Sequence, residues 1–189
     1  MNEILKPALA LFIITAVFTF ILALTNLATM DIIAQNRHEA RANSMVYVLP
    51  GAYIFSSDVD FGNTQGLINY AIGFDENDSP IGVVMQVSVT GFSPNLIFLV
   101  GVDLNGVVTG LDVINHAETP GLGSLITQEQ HRHQFIGATG NVQVITGGNA
   151  IGNNQVDAII GATVTMQVVA DGVNEALEYI NANVLPNIS

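Results

Sequence analysis

The sequence predicts an α+β protein in which one N-terminal transmembrane helix precedes a domain of antiparallel strands and a C-terminal helix. Three observations support this: an uncharged apolar run near the N-terminus, paired apolar segments around turn signals, and an amphipathic C-terminal run. The chain has 189 residues, enough for one domain with a substantial core. Because the strands precede the helix, antiparallel pairing is expected.

The composition excludes several functional classes. Apolar residues make up 49% of the chain and charged residues 11%, and the net charge is −12 with four basic residues. Binding to nucleic acid or to an anionic lipid surface requires a basic patch, which four scattered cations cannot form. Because the chain contains no cysteine, disulfides, thiolate metal sites and cysteine nucleophiles are excluded.

Residues 1–30 are predicted to hold a short cytoplasmic stub and the membrane anchor. No charge interrupts residues 7–30, and the apolar run at 8–27 is long enough to cross about 30 Å of hydrocarbon. A cleaved signal peptide is the alternative, but its apolar region would be shorter and a small-residue cleavage site would follow. We therefore expect an uncleaved, single-pass anchor, which the flanking basic residues barely orient.

Residues 31–50 are predicted to form a helical stalk. The segment 31–45 lacks glycine and proline and carries charges at short spacing, and Pro50-Gly51 marks the end of the helix. The third predicted region, residues 51–189, is the functional domain.

The middle of the chain predicts two hairpins. Leu67–Phe74 and residues 81–89 flank a polar turn, and Val83, Met85 and Val87 alternate in the second strand. Residues 96–102 and 107–114 flank Asp103-Leu-Asn-Gly106, whose Asn-Gly pair favours the positive φ angles of a tight turn. A short strand is expected at 142–145.

Residues 164–182 are predicted to form the C-terminal helix. Its apolar residues share one face: Val164, Val168, Val169, Val173, Ala176, Leu177 and Ile180. Gly172, within this helix, lowers its intrinsic stability by about 1 kcal/mol relative to alanine.

The first candidate site segment is His116-Ala-Glu-Thr-Pro-Gly-Leu-Gly123, directly after the second hairpin. Pro120-Gly121 favours a type II turn, and Gly123 would let backbone approach a ligand closely. An ordinary surface turn is the alternative interpretation.

The second segment is Asp157-Ala-Ile-Ile-Gly-Ala-Thr-Val-Thr165. It places Thr163 at the start of the C-terminal helix, where unpaired N–H groups and the helix dipole favour phosphate. Gly161 and Ala162 are too small to obstruct a ligand. The alternative is that Thr163 only caps the helix.

A third polar cluster, His131-Arg132-His133 near Glu129, has residue types that bind metals. Alternating histidines on a short polar stretch are more often solvated surface, so no metal site is predicted there. No catalytic residue is predicted either.

The segment HAETPGLG followed by GATVT, after one anchor, resembles the FMN-binding subunits of the Rnf and Na⁺-translocating NADH:quinone reductase complexes, and above all RnfG of the Rnf ion-translocating electron-transport complex. This resemblance implies FMN bound covalently to Thr163 through a phosphoester that a flavin transferase forms. It further implies ring contacts from one loop and support from the residues around the acceptor: Glu118, Thr119, Gly121 and Leu122 in the loop, with Gly161, Ala162 and Thr165 near Thr163. Thr165 would hydrogen-bond the phosphate or helix backbone.

The resemblance also implies a role for the whole chain. It would be an electron-carrier subunit, without turnover of its own, in a complex that couples ferredoxin:NAD electron transfer to ion translocation. Its partners would be other Rnf subunits, the flavin transferase and the membrane, with no nucleic acid. The FMN domain would lie on the outer, periplasmic or extracellular, face of the inner (plasma) membrane.

One residue departs from the family pattern, because Ile160 stands where a serine or threonine usually precedes Gly-Ala-Thr. Its lost hydroxyl would reduce phosphate binding or recognition by the transferase without removing the acceptor. Two alternatives remain at this point: NqrC, the homologous subunit of the NADH:quinone reductase, which is typically longer, and a noncatalytic membrane-anchored surface-interaction protein.

Overall fold

The computed structural model describes residues 2–64 and 66–188, and the chain divides into two compact units, residues 1–41 and 42–189. The helices are α1 (Asn2–Val48), α2 (Glu129–Arg132), α3 (Thr163–Tyr179) and α4 (Leu185–Ile188), with a π-helical stretch at Ile180–Val184 between the last two. The strands are β1 (Ile54–Phe55), β2 (Val59–Thr64), β3 (Leu67–Phe74), β4 (Pro80–Val89), β5 (Leu96–Asp103), β6 (Val108–Asn115), β7 (Gln143–Ile145) and β8 (Gln155–Asp157).

Helix α1 accounts for the described part of the first unit, residues 2–41. Within it, Leu5–Met30 is long and apolar enough to cross a membrane once, and none of this stretch is buried. The helix continues without a break through residues 31–45 to Val48.

The main sheet belongs to the second unit and is antiparallel throughout. Its strands lie in the order β1-β3-β4-β5-β6, and β2 also pairs with β3. The β3–β4 and β5–β6 pairs are the two predicted hairpins. This arrangement confirms the predicted α+β class with antiparallel strands and a final helix.

The turn of the second hairpin differs from the prediction. Gly106 has a positive φ of 76°, whereas Asn105 does not, and the register shifts between Gly101 and Val102. Asp103 Oδ1 accepts hydrogen bonds from the backbone N–H groups of Asn105 and Val107, each over 2.9 Å. The aspartate therefore stabilises a bulged turn, and β6 begins one residue later than predicted.

Helix α3 covers one face of the sheet. The alternating residues Val83, Met85 and Val87 of β4 are fully buried against it, as their spacing predicted. Gly172 permits this close packing, because a Cβ there would lie 2.9 Å from Val89 Cγ1 and 3.0 Å from Phe98 Cζ. Val164 does not share the buried face and is exposed.

The end of α1 covers the opposite face of the sheet. Val48 and Leu49 form a second buried cluster with Met45, Ala52, Ala71, Val84 and Leu99. The Thr109 hydroxyl donates to the Val48 carbonyl over 2.6 Å, and a Cβ on Gly110 would lie 2.7 Å from Val48 Cα. The compact unit thus begins at Ala42, earlier than the predicted domain start at residue 51.

A second, two-stranded sheet pairs β7 with β8 in parallel. Strand β7 corresponds to the short strand expected at 142–145, whereas β8 was not predicted. Each strand has three residues, too few to show an alternating pattern.

Candidate functional site

The two sequence motifs meet in a single cleft of about 400 Å³. It lies among the loop that joins β4 to β5, the segment that follows β6, and the start of α3. Its lining consists of Phe92, Glu118, Thr119, Leu122, Gly123, Gly161, Ala162, Thr163, Val164 and Thr165. Seven of the eight predicted site residues are in this set, and Gly121 is the exception.

The first motif forms the predicted type II turn. The Leu122 N–H donates to the Thr119 carbonyl over 3.2 Å, and Gly121 has a positive φ of 77°. The Gly121 N–H donates to Ser124 Oγ over 2.9 Å. Gly121 therefore provides the positive φ angle that the turn requires, whereas Thr119 and Leu122 line the cleft.

The second motif ends in another tight turn, which delivers Thr163 to the start of α3. The Ala162 N–H donates to the Ile159 carbonyl over 2.9 Å, and Gly161 has a positive φ of 79°. Ile160, the residue that departs from the family pattern, is 94% exposed at the corner of this turn. Its side chain is not among those that line the cleft.

Thr163 is the first residue of α3 and its side chain is exposed. The N-cap position belongs to Ala162, which has no side chain that can cap the helix. The capping interpretation of Thr163 is therefore wrong. No side-chain cap occupies the N–H groups of the first helical turn, so they can receive a phosphate group.

Glu118 and Thr165 form the floor of the cleft. The Thr165 hydroxyl donates to Glu118 Oε2 over 2.9 Å, and the Ser93 N–H donates to Glu118 Oε1 over 3.0 Å. Glu118 is 5% exposed and Thr165 is 1% exposed. The hydroxyl of Thr165 thus bonds a buried carboxylate rather than the helix backbone, and its expected bond to the phosphate stays a prediction.

Two glycines make room for this carboxylate. A Cβ on Gly91 would lie 2.7 Å from Glu118 Oε1, and a Cβ on Gly123 would lie 2.9 Å from Thr165 Oγ1 and closer still to Glu118. Gly123 was predicted to let backbone approach a ligand. In the structure its missing side chain accommodates the Glu118–Thr165 pair, and Gly123 also lines the cleft, so the approach to a ligand stays a prediction.

Positive charge is scarce around the cleft. Three of the four basic residues and three of the sixteen acidic residues precede residue 42, so the net charge of −12 lies wholly in residues 42–189. Arg132 is the only lysine or arginine in that range. It pairs with Asp112, to which the Ser44 hydroxyl also donates over 2.6 Å. Among the residues that the structure describes, no basic side chain lines the cleft.

Comparison with known proteins identifies the family. Residues 91–178 match the model of an FMN-binding domain, and residues 1–48 match that of the RnfG N-terminal region. The chain is 31% identical to the G subunit of the ion-translocating oxidoreductase complex of Methanosarcina acetivorans, over 96% of each chain. The chain belongs to the RnfG family.

Other relatives agree with this assignment. The G subunit of the Na⁺-translocating ferredoxin:NAD⁺ oxidoreductase complex of Acetobacterium woodii is 30% identical over 93% of this chain and 90% of its own. The crystal structure of Shewanella oneidensis NqrC superposes with a TM-score of 0.52, at 22% identity, over 67% of this chain and 66% of that chain. At this identity, the structural match shows that this RnfG family member shares the NqrC fold.

The His131-Arg132-His133 segment has a different role in this RnfG family member from the solvated surface that was expected. Arg132 is mostly buried in its pair with Asp112, and its guanidinium lies 5.1 Å from the centre of the Tyr47 ring. The Tyr47 hydroxyl lies 3.1 Å from His133 Nε2. Across residues 2–64 and 66–188, no group of three His, Cys, Asp or Glu side chains could hold a metal. The segment joins the end of α1 to β6.

Sequence reasoning missed two residues that line the cleft of this RnfG family member. Phe92 lies in the loop before β5 and is 78% exposed, and Val164 was assigned to the buried face of α3. Phe92 belongs to no recognisable spacing pattern, whereas the apolar spacing of α3 wrongly placed Val164 on the buried face. Asp157 accepts a hydrogen bond from the Ala150 N–H over 3.0 Å, so it shapes the preceding loop.

Proposed function

We propose that the chain is the membrane-anchored electron-transfer subunit of an Rnf-type complex and carries FMN covalently on Thr163. The complex would couple electron transfer between ferredoxin and NAD to ion translocation. The observation that carries this proposal is the position of Thr163: its exposed hydroxyl lies at the uncapped start of α3, in the same cleft as the loop of the first motif. Each motif alone would have ordinary structural explanations.

The residues of the cleft fit FMN. The N–H groups of the first turn of α3 suit its phosphate, and the apolar parts of Phe92, Leu122 and Val164 suit its ring system. FMN supplies the redox chemistry, because it accepts and releases one or two electrons. The chain therefore needs to hold the flavin, orient it and limit the access of water.

The charge of the domain explains why the flavin would be bound covalently. A phosphate dianion approaching residues 42–189 meets a net charge of −12, and the single arginine is already paired with Asp112. The dipole of α3 offsets only about 0.3–1 kcal/mol of this repulsion. Reversible binding of FMN would gain no ion pair from the side chains that line the cleft, whereas an ester bond holds the flavin regardless of the electrostatic field.

Attachment would require a second protein. A threonine hydroxyl is a weak nucleophile without a general base, and the carboxylate of the cleft, Glu118, is hydrogen-bonded to Thr165 and Ser93 rather than to Thr163. We infer that a flavin transferase activates Thr163 and uses FAD. Thr163 Oγ would bond to the phosphorus of the FMN half, the bond to the AMP half would break, and AMP would leave as the hydroxyl proton passes to the transferase.

Intact mass tests the proposal. Produced with the flavin transferase, the full chain should gain one FMN less one water, and it should stay yellow after denaturing purification. Thr163→Val should insert in the membrane without this gain, whereas Thr165→Val should retain the flavin. FMN mapped to Thr165, or covalent flavin on Thr163→Val, would contradict the assignment. A colourless wild type would contradict the proposed attachment of FMN.

The proposed topology has a cytoplasmic N-terminus, an uncleaved anchor at residues 1–30, a stalk from residue 31 and the FMN domain on the outer face. Because the chain has no native cysteine, Glu76→Cys in the exposed turn between β3 and β4 provides a unique label site. A membrane-impermeant maleimide should label this cysteine in intact cells. Labelling that requires permeabilised membranes would reverse the orientation.

A further inference from the structure

Phe92 is exposed beside the cleft in a way that suits a ligand. Its side chain is 78% exposed and lines the same cleft as Thr163. Leu122 and Val164, two further large apolar side chains that are partly open to solvent, also line it. Scattered apolar residues on a surface need no explanation, but three that converge on one cleft indicate a binding surface.

The loop that carries Phe92 is held in place on both sides of that residue. The Ser93 N–H donates to Glu118 Oε1 over 3.0 Å, and Gly91 lies so close that a Cβ would come within 2.7 Å of the same oxygen. The Gly91 N–H also donates to the Ser93 carbonyl over 3.2 Å, which closes the backbone around Phe92. A buried carboxylate thus fixes the backbone of an exposed aromatic residue.

This arrangement accounts for the burial of Glu118. A buried carboxylate is costly unless its oxygens accept hydrogen bonds. Here Oε1 accepts a bond from Ser93 in the Phe92 loop, and Oε2 accepts a bond from Thr165 in the first turn of α3. Glu118 therefore joins the two elements that would lie on either side of a ligand attached to Thr163. An apolar residue could fill the space, but it could not make either bond.

We propose that Phe92 is the aromatic wall against which the isoalloxazine ring of FMN packs, and that Glu118 is the residue that positions this wall. The proposal rests on the proposed function, because it takes the flavin to be attached at Thr163. Aromatic rings favour offset-stacked or edge-to-face contact. Packing against the flavin would remove the exposed ring of Phe92 from water.

A tryptophan introduced at position 92 tests ring contact directly. The chain contains no tryptophan, so Phe92→Trp places a single indole at the cleft. An indole in contact with an excited flavin transfers an electron to it and quenches its fluorescence. Tyr53→Trp is the matched control, because Tyr53 is 70% exposed in the same unit and does not line the cleft.

The measurement is flavin fluorescence yield and lifetime in the full chain loaded with FMN, at equal flavin content by absorbance. Phe92→Trp should lose most of its flavin fluorescence, whereas Tyr53→Trp should match the wild type. If the bulkier indole prevents loading, Phe92→Tyr gives the same readout, because tyrosine also quenches flavins and adds one hydroxyl to an exposed ring. Equal yields in the loaded variants would overturn the assignment of Phe92 and leave the attachment site intact. A wild type without FMN would instead overturn the proposed function.

A second set of variants tests whether Glu118 positions the Phe92 loop. Adding Glu118→Ala to Phe92→Trp should restore much of the flavin fluorescence. The loop would lose the hydrogen bond that the Ser93 N–H donates to Glu118, so the indole would no longer be held against the flavin. Adding Glu129→Ala, an exposed carboxylate outside the cleft, should leave the quenching unchanged. Unchanged quenching in the Glu118→Ala double variant, with FMN still attached, would overturn the positioning role while retaining Phe92 as the wall.

Discussion

The Thr165 hydroxyl donates to the Glu118 carboxylate over 2.9 Å, between residues 47 positions apart and both nearly inaccessible to water. This bond ties the first turn of α3 to the loop after β6. It also explains why a threonine two positions after the proposed acceptor need not touch the phosphate. The stability of variants at Glu118 and Thr165 should therefore depend on this bond.

Replacing Glu118 with alanine should destabilise the domain. The change leaves the Ser93 N–H and the Thr165 hydroxyl without their acceptor, at a cost of about 1–3 kcal/mol for the buried hydroxyl and less for the partly buried N–H. Glu129→Ala removes an exposed carboxylate and should change the free energy of unfolding by less than about 0.5 kcal/mol. Denaturant unfolding of the detergent-solubilised chain, followed by circular dichroism, measures both. Equal midpoints for the two variants would show that the buried carboxylate adds no stability.

The two threonines of the second motif should separate stability from flavin attachment. Thr165→Val removes a buried hydroxyl and leaves Glu118 Oε2 without its donor, so we expect a loss of about 1.5–3 kcal/mol in unfolding free energy with the flavin retained. Thr163→Val alters an exposed side chain and should leave stability of the flavin-free chain within about 0.5 kcal/mol of the wild type. The same denaturation series, paired with intact mass, checks both. A larger stability loss for Thr163→Val would indicate a structural role for that residue.

Gly172→Ala should destabilise the domain although alanine is the better helix former. Helix propensity alone predicts a gain of about 1 kcal/mol. A Cβ at this position, however, would approach side chains of β4 and β5 to within 2.9–3.0 Å, and such overpacking typically costs about 1–3 kcal/mol. Gln167→Ala, at an exposed position of the same helix, is the control. A raised melting temperature for Gly172→Ala would mean that α3 can move away from the sheet.

The stability of the domain should fall on mild acidification, in part through His131. Burial lowers the pKa of His131 below its ordinary value of 6.5, so the unfolded chain takes up the proton first. Its contribution is therefore complete above pH 6.5 and is lost as the pH falls through the folded-state pKa. Unfolding free energies at about pH 7.5 and about pH 5.5 should differ less for His131→Gln than for the wild type. The exposed His133→Gln should behave like the wild type, and an unchanged difference in His131→Gln would exclude this contribution.

The strands were predictable wherever alternation and turn residues agreed. Leu67–Phe74 has the predicted bounds, because this apolar run ends at a polar turn and its partner strand begins directly after that turn. The bulged turn after Asp103 was not predictable from Asn-Gly alone, since the aspartate side chain determines it. Likewise, nothing in the local sequence shows that Val48 packs on a glycine of β6, a contact between residues distant along the chain.

The sequence predicted which residues belong to the site better than it predicted the role of each residue. Motif resemblance named residues such as Thr163 and Leu122 that the structure brings into one cleft. Thr165 and Gly123 have roles that depend on the buried carboxylate of Glu118, and no spacing rule encodes that contact. Phe92 was missed because it lies in an irregular loop with no motif of its own.

The packing of Val48 and Leu49 on the sheet limits how the protein can be recombined. In a chimera, an anchor taken from a related protein should be spliced before Ala42, since the residues from there to Leu49 are as much a part of the folded domain as its strands. A splice at Pro50-Gly51, where the sequence offers its clearest break, would replace side chains that fit against Gly110 and Leu99. The part of the chain that can be exchanged as an anchor thus ends at Arg41, although helix α1 continues to Val48.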